Sequence, residues 1–267
     1  MKRLQALLAK ELMDLRANPG LFVPAVLTGL LSLMLPFFVA VFVPWLTGER
    51  LSDSSDFTLA IELYRTEFST APLSPEGAVQ GWIFQQFLVL LVLAPIAGAM
   101  SVAAYTVIGE KQARTLEPLL ATPLSTVELL GAKVLGALIP AAALTFGSFG
   151  LYFSGVLFLA EPQVYQVLLT ARALSIVFVL GPLATLAALQ LAVCVSSRVN
   201  DARSAQQIGA LIILPLSGLL VAQLMGRVQL TPAWLTVAAV ILLLVNIGLM
   251  RTAVVIFDRE SILTRWK

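Results

Sequence analysis

The sequence predicts an all-α, polytopic membrane protein: one transmembrane domain of six spans, with an amphipathic helix ahead of the first. Three observations carry that class. Of its 267 residues, 59% are hydrophobic and only 12% charged, with a mean hydropathy of +0.93. Soluble domains average about half apolar and about a quarter charged. The apolar residues gather into six runs, each near the length of about 20 residues that crosses hydrocarbon as a helix. Proline and glycine recur inside those runs, which membrane helices tolerate better than soluble ones.

Composition also narrows the chemistry. A net charge of +2 leaves no nucleic-acid footprint. The absence of histidine removes His-based triads, HExxH zinc sites and haem ligation by imidazole. The one cysteine, Cys194, has no partner for an intrachain disulfide and no ligand companions. No GxxxxGK[ST] occurs, so any ATP that drives this chain must be bound by another polypeptide. The spans hold neither a carboxylate pair nor a nucleophile with a placed base. We therefore assign no catalytic residue, no metal ligand and no cofactor to this chain, and expect no enzyme activity in it.

Residues 1–18 place Leu4, Leu7, Leu8, Leu12 and Leu15 at helical spacing, with Lys2, Arg3, Lys10, Glu11, Asp14 and Arg16 filling the rest. That pattern is an amphipathic helix lying on a membrane surface, not the short apolar core of a cleavable signal peptide. Asn18-Pro19-Gly20 ends it. Span one covers residues 21–46, where Pro24, Pro36 and Pro44 predict kinks and Trp45 marks the interface. Residues 47–81 form the longest polar connection, rich in acids, and Phe57, Ala60, Ile61, Tyr64 and Phe68 predict a short amphipathic helix inside it. Span two covers residues 82–108, with Gln85 and Gln86 near its outer end either lining a path or hydrogen-bonding at the interface.

Residues 109–133 interrupt the apolar pattern with Glu110, Lys111, Arg114, Glu117, Glu128 and Lys133. They read as two short helices with a break between them. Pro118 disfavours helical backbone at Glu117. Thr122-Pro123 fits a cap followed by proline at the first helical position, and Ser125-x-x-Glu128 fits a capping box. Leu116, Leu119, Leu120 and Leu124 give one apolar side, so the segment is a helical elbow at the membrane surface.

Span three covers residues 134–159, with Pro140 and a stripe of Phe146, Phe149 and Phe153 that suggests packing. Span four covers residues 168–195, with Arg172 near its outer end and Gly181-Pro182 breaking the helix near its middle. After the polar loop 196–207 come span five, residues 208–225, and span six, residues 233–257. Asn246 in span six should bond across helices.

Of the 17 Lys and Arg residues, only Arg50, Arg65, Arg172 and Arg227 fall on the side opposite the N-terminus. The positive-inside bias puts both termini and the 109–133 elbow in the cytoplasm.

The elbow also resembles a known family. Glu110-Lys111, Thr115-Leu116-Glu117, Leu119-Leu120, Thr122-Pro123-Leu124-Ser125, Glu128-Leu129 and Gly131-x-Lys133 are similar to the signature loop of ABC type-2 permeases, nearest the sodium- and drug-export branch. Lys10-Glu11-Leu12, Leu15-Arg16 and Asn18-Pro19 resemble that family's N-terminal elbow, and residues 196–207 match its second inner loop more loosely. One departure is Arg114, where the family usually has glycine before Thr-Leu-Glu.

The resemblance implies the membrane subunit of an ATP-driven exporter in the plasma (inner) membrane. It implies two copies of a separate ABC ATPase, which bind the ATP and Mg, and a second permease copy or a related permease. In that reading Glu110, Arg114 and Glu117 make polar contacts to the ATPase. Thr115, Leu116, Leu119, Leu120 and Thr122 belong to the seated elbow, and Pro118 and Pro123 fix its shape. Spans without central charge suit an amphipathic or hydrophobic cargo. An ion-coupled transporter working alone would need buried acids, which the span interiors lack.

Overall fold

The computed structural model describes residues 2–67, 73–112, 126–199, 204, 207, 213–225 and 230–256, and every regular element among them is helical. Helix α1 is Lys2–Ala17, and α2 is Val23–Phe37. A π turn, Phe38–Phe42, leads from α2 into α3, Val43–Thr47. The amphipathic helix expected in the long connection is α4, Thr58–Glu67. The centre of the bundle is α5, Pro75–Gln86, continued as α6, Leu88–Gln112. Then come α7, Thr126–Leu159, and the short α8, Tyr165–Leu168. Helix α9, Ala171–Ser175, passes through a second π turn, Ile176–Leu180, into α10, Gly181–Arg198. Helices α11, Ile213–Leu224, and α12, Pro232–Ile256, complete the described chain.

Five of these paths are long and apolar enough to cross a membrane: Ala25–Thr47, Pro75–Glu110, Glu128–Leu159, Ala171–Ser196 and Pro232–Ile256. In the fifth predicted span the described helix, α11, has 12 residues and is too short to cross by itself. Residues 208–212 of that span lie outside the described residues.

Prolines fix where the helices loosen. Both π turns sit beside prolines, Pro36 and Pro44 in one case and Pro182 in the other, because a residue without an N–H cannot close its α-helical bond. Pro44 cannot donate to the Ala40 carbonyl four residues back. Gln80 supplies the missing donor, its Nε2 reaching that carbonyl at 3.3 Å.

Span two starts earlier than its hydropathy suggests. Ser74 caps α5 by accepting the Gly77 N–H at 2.9 Å, and Pro75 takes the first helical position. The polar side chains of α5 are nonetheless buried, and Glu76, Gln80 and Gln85 each find at least one partner. Gln80 Oε1 accepts the Glu161 N–H at 2.8 Å, and Glu76 Oε2 accepts the Ser52 N–H at 2.9 Å. The hydroxyl of Tyr64 on α4 donates to Gln85 Oε1, and Gln85 Nε2 donates to Thr170 Oγ1 at 3.3 Å. Gln85 is thus committed to structure.

The α5–α6 path is the core. Within its most apolar 18-residue stretch, 88% is buried inside the chain, against 11% for α12. Helices α2, α7, α10 and α11 pack around α6, and α12 packs on α10. Phe37, Phe84 and Tyr152 form an aromatic knot with centroids 5.0–5.8 Å apart, and the Tyr152 hydroxyl donates to the Phe84 carbonyl at 2.9 Å. Phe146 and Phe149 both pack on Phe178, and Phe153 packs on Tyr165, so the phenylalanine stripe holds helices together. Asn246 Nδ2 donates across to the Leu183 carbonyl at 3.0 Å. Such interhelical bonds contribute about 1 kcal/mol in membranes.

Close approach needs glycine at two places within the core of the bundle, besides Gly136 at the α1–α7 contact. A Cβ on Gly98 would lie 2.4 Å from Ala25 Cβ, and one on Gly155 would lie 2.5 Å from the Phe37 ring. Gly98→Leu should therefore push α2 from α6 and lower apparent stability in detergent by about 1–3 kcal/mol. Gly150→Ala, where nothing lies within 4 Å, should leave the melting temperature unchanged or raised. Thermal unfolding of the two variants, followed by size-exclusion fluorescence, checks the contrast.

Candidate coupling site

At the base of the 109–133 segment, two buried charges, Glu11 and Lys133, meet two half-buried ones, Lys10 and Glu110. Glu110 stands near the end of α6 and Lys133 in the first turns of α7, so they flank the elbow from its two sides. Lys133 Nζ lies 2.7 Å from Glu110 Oε2 and 3.1 Å from Glu11 Oε1. Lys10 Nζ reaches Glu110 Oε1 at 2.6 Å and also pairs with Asp14 at 3.6 Å on its own helix. Two carboxylates face two ammoniums, and the cluster of Lys10, Glu11, Glu110 and Lys133 sums to zero.

Local sequence explains the arrangement. Successive residues on a helix point about 100° apart. Lys10 and Glu11 therefore straddle the edge of the α1 face that meets α7, with Glu11 turned inward and Lys10 reaching sideways to Glu110. Leu7 and Leu15 are buried on the same face as Glu11. Gly136 lets α1 approach: a Cβ there would lie 2.9 Å from Glu11 Cβ. The expectation that Glu11 belongs to the solvated face of α1 is corrected, since it is 3% exposed. Its position between Leu7, Leu8, Leu12 and Leu15, three or four residues from each except Leu12, places a carboxylate inside the apolar stripe. That was the legible signal.

Burial decides the energetics. Lys133 is 2% exposed, so its ammonium is tolerable only because two carboxylates meet it. Lys10 is 41% exposed, and its pair is screened by solvent. Burial alone would lower the Lys10 pKa. The Glu110 hydrogen bond and the charges of Glu110, Glu11 and Asp14 outweigh it and hold the ammonium above its ordinary range. A raised lysine pKa means this contribution is complete below the ordinary lysine pKa and fades only as pH rises beyond it. Lys10 therefore adds no pH sensitivity near neutrality.

Of the residues predicted for coupling, the structure places Glu110 in this cluster. Arg114, Thr115, Leu116, Glu117, Pro118, Leu119, Leu120, Thr122 and Pro123 lie outside the described residues. The elbow's flanks differ from the expected short helices. Helix α6 runs past the predicted end of span two to Gln112, and α7 runs unbroken from Thr126 to Leu159. Sequence reasoning did not bring Lys10 and Glu11 together with Glu110 and Lys133, because Glu110 is 100 residues from Lys10 and Lys133 is 122 residues from Glu11 along the chain.

A bundle with five helical paths long and apolar enough to cross a membrane marks an integral, all-α membrane protein. The chain belongs to the ABC-2 family of transporters: the profile described as "ABC-2 family transporter protein" matches residues 58–264, from α4 to beyond α12. It is accordingly a permease component of an ABC transporter. No curated protein matches the chain at a significant level. Helix α1 and its two clasp residues precede the matched region.

Removing Lys133 leaves two carboxylates buried without their shared cation. Lys133→Met should lower apparent stability by about 3–5 kcal/mol, with partial recovery when Glu11→Gln is added. Lys10→Ala should cost about 1 kcal/mol or less. Melting temperatures of the purified variants in one detergent check the ranking.

Proposed function

We propose that this permease is the membrane half of an ATP-driven exporter, coupled to a separate ABC ATPase through residues 109–133. The observation that carries the reading is the four-charge clasp, which ties α6, α7 and α1 together at the base of the elbow. A load applied to the elbow is thereby delivered to the most buried helix of the bundle and its neighbour at once, rather than being absorbed by a slack loop. The family membership and the charge bias of the loops support the same assignment.

In this reading both termini and the elbow face the cytoplasm, in the plasma (inner) membrane. Two ATPase copies bind ATP and Mg and dock there, and a second copy of this chain or a related permease completes the pathway. Glu117 and Arg114 make polar contacts with the ATPase. Leu116, Leu119 and Leu120 seat the elbow, Thr115 and Thr122 belong to the same surface, and Pro118 and Pro123 set its bend. Glu110, engaged by Lys10 and Lys133, acts from within the clasp. Closure of the ATPases on ATP moves the elbows and switches the bundle between inward-facing or closed and outward-open arrangements. An ion-coupled transporter acting alone would place an acid part-way along a span. Residues 77–109 of the central path carry no charged side chain.

The test is capture and stimulation of an ABC ATPase co-expressed with this chain. With Glu117→Lys, capture should fall at least about tenfold, as for reversal of a docked charge, and ATP turnover by the complex should fall with it. Capture and turnover both equal to wild type would overturn the assignment.

A further inference from the structure

At the end of the bundle opposite the clasp, two glutamines of α5 bind four neighbouring elements. Gln80 precedes Glu110 on the α5–α6 path by thirty residues, roughly 45 Å of helix. It is 7% exposed and uses both ends of its carboxamide. Nε2 donates to the Ala40 carbonyl at 3.3 Å, and Oε1 accepts the Glu161 N–H at 2.8 Å. Ala40 lies in the π turn of span one, and Glu161 just past the end of α7. Gln85, 1% exposed, is used in the same way. Its Oε1 accepts the Tyr64 hydroxyl from α4, and its Nε2 donates to Thr170 Oγ1 at 3.3 Å. Thr170 caps α9, its Oγ1 accepting the Ala173 N–H at 3.3 Å, so this bond holds the start of span four.

The segments tied in this way adjoin breaks in their helices. In span one the π turn Phe38–Phe42 separates α2 from α3, and in span four the π turn Ile176–Leu180 separates α9 from α10. Span two is itself interrupted at Phe87, where α5 gives way to α6. A π turn holds one residue too many for the α-helix. Passing that residue along the helix exchanges i→i−5 bonds for i→i−4 bonds and re-aims the segment beyond. The bond from Gln80 pins the turn in span one, because a shifted turn would carry the Ala40 carbonyl away. Neutral hydrogen bonds suit a fastening that must also release, since water replaces them with little net loss. The Lys133 ion pairs at the other end are the opposite case, because breaking them strands buried charge.

We propose that Gln80 and Gln85 are the latch of a gate at this end of the bundle. With their bonds made, α3 and α9 are drawn in against α5 and the end is shut. With those bonds exchanged for water, α3 and α9 swing from their π turns and open a way between spans one, two and four. That this gate is the exit of an exported cargo rests on the exporter reading above; that the end opens and shuts here does not.

The test is a pulsed spin–spin distance measurement on the full chain in lipid nanodiscs. Cys194 is replaced by Ser, and spin labels are carried by Leu46→Cys and Gln166→Cys, both exposed positions, on α3 and α8. With both glutamines intact the distance distribution should be single and narrow. Gln80→Met keeps the side-chain length and removes both bonds, so it should add a second population longer by about 5 Å, one helical pitch. Adding Gln85→Met should make that population the major one. Gln86→Met alters a buried glutamine of the same helix outside the latch and should leave the distribution unchanged. A single narrow distribution in the folded double variant would overturn the latch. So would equal broadening in Gln86→Met, which marks a general loosening of α5. If Gln80→Met does not fold, Gln85→Met alone is judged by the same outcomes. The experiment uses neither ATP nor an ATPase, so failed coupling leaves its result intact, and an end that stays shut leaves the coupling assignment standing.

Discussion

A lysine that has almost no contact with water holds this structure to its purpose. Lys133 Nζ sits between the carboxylates of Glu11 and Glu110 at 3.1 and 2.7 Å. An isolated ammonium at such a site would lose its hydration with nothing in return. Once its two counter-charges come from different helices, α1 and α6 cannot leave α7 without stranding charge in a poorly solvated place. A buried pair of this kind adds little over a well-packed apolar contact, yet breaking it by removing one partner is expensive. It is therefore a device for fixing relative position more than for raising stability.

The rest of the bundle is arranged so that such a device has something rigid to act on. The α5–α6 path is enclosed by its neighbours over most of its length. Its polar first turns are kept dry by amides that bond backbone groups elsewhere, as Gln80 does for the carbonyl that Pro44 leaves without its usual donor. The π turns beside the prolines permit a change of direction without exposing unpaired backbone to lipid, which a membrane helix can least tolerate. Gly98 lets α6 approach Ala25 on α2, and Gly155 on α7 makes room for the Phe37 ring, so packing is set by shape where hydrophobicity cannot discriminate helix from lipid.

Burial within the chain is uneven across the bundle. Helix α12 is mostly uncovered by the rest of the chain. An apolar cavity lies beside it, among α6, α10 and α11. A transporter must change shape around its ligand, and elements with few buried contacts are the ones free to do so.

Composition and periodicity by themselves determined the class: an all-helical membrane chain, an amphipathic first helix, a polar elbow between two long runs, and kinks at Pro44 and Pro182. Those features follow from neighbours along the chain, through hydropathy and backbone chemistry, so no tertiary contact is needed to read them. The family resemblance was carried by the same local wording. Glu11 shows the boundary. Its place in the apolar stripe of α1 was visible, but its partner was not, because Lys133 lies 122 residues further along the chain. The early start of α5, the engagement of Gln80 and Gln85, and the joining of Glu110 to Lys10 and Lys133 were likewise decided by tertiary structure. Each depends on which distant donor or charge arrives to make burial of a polar group tolerable, and sequence spacing holds no record of that.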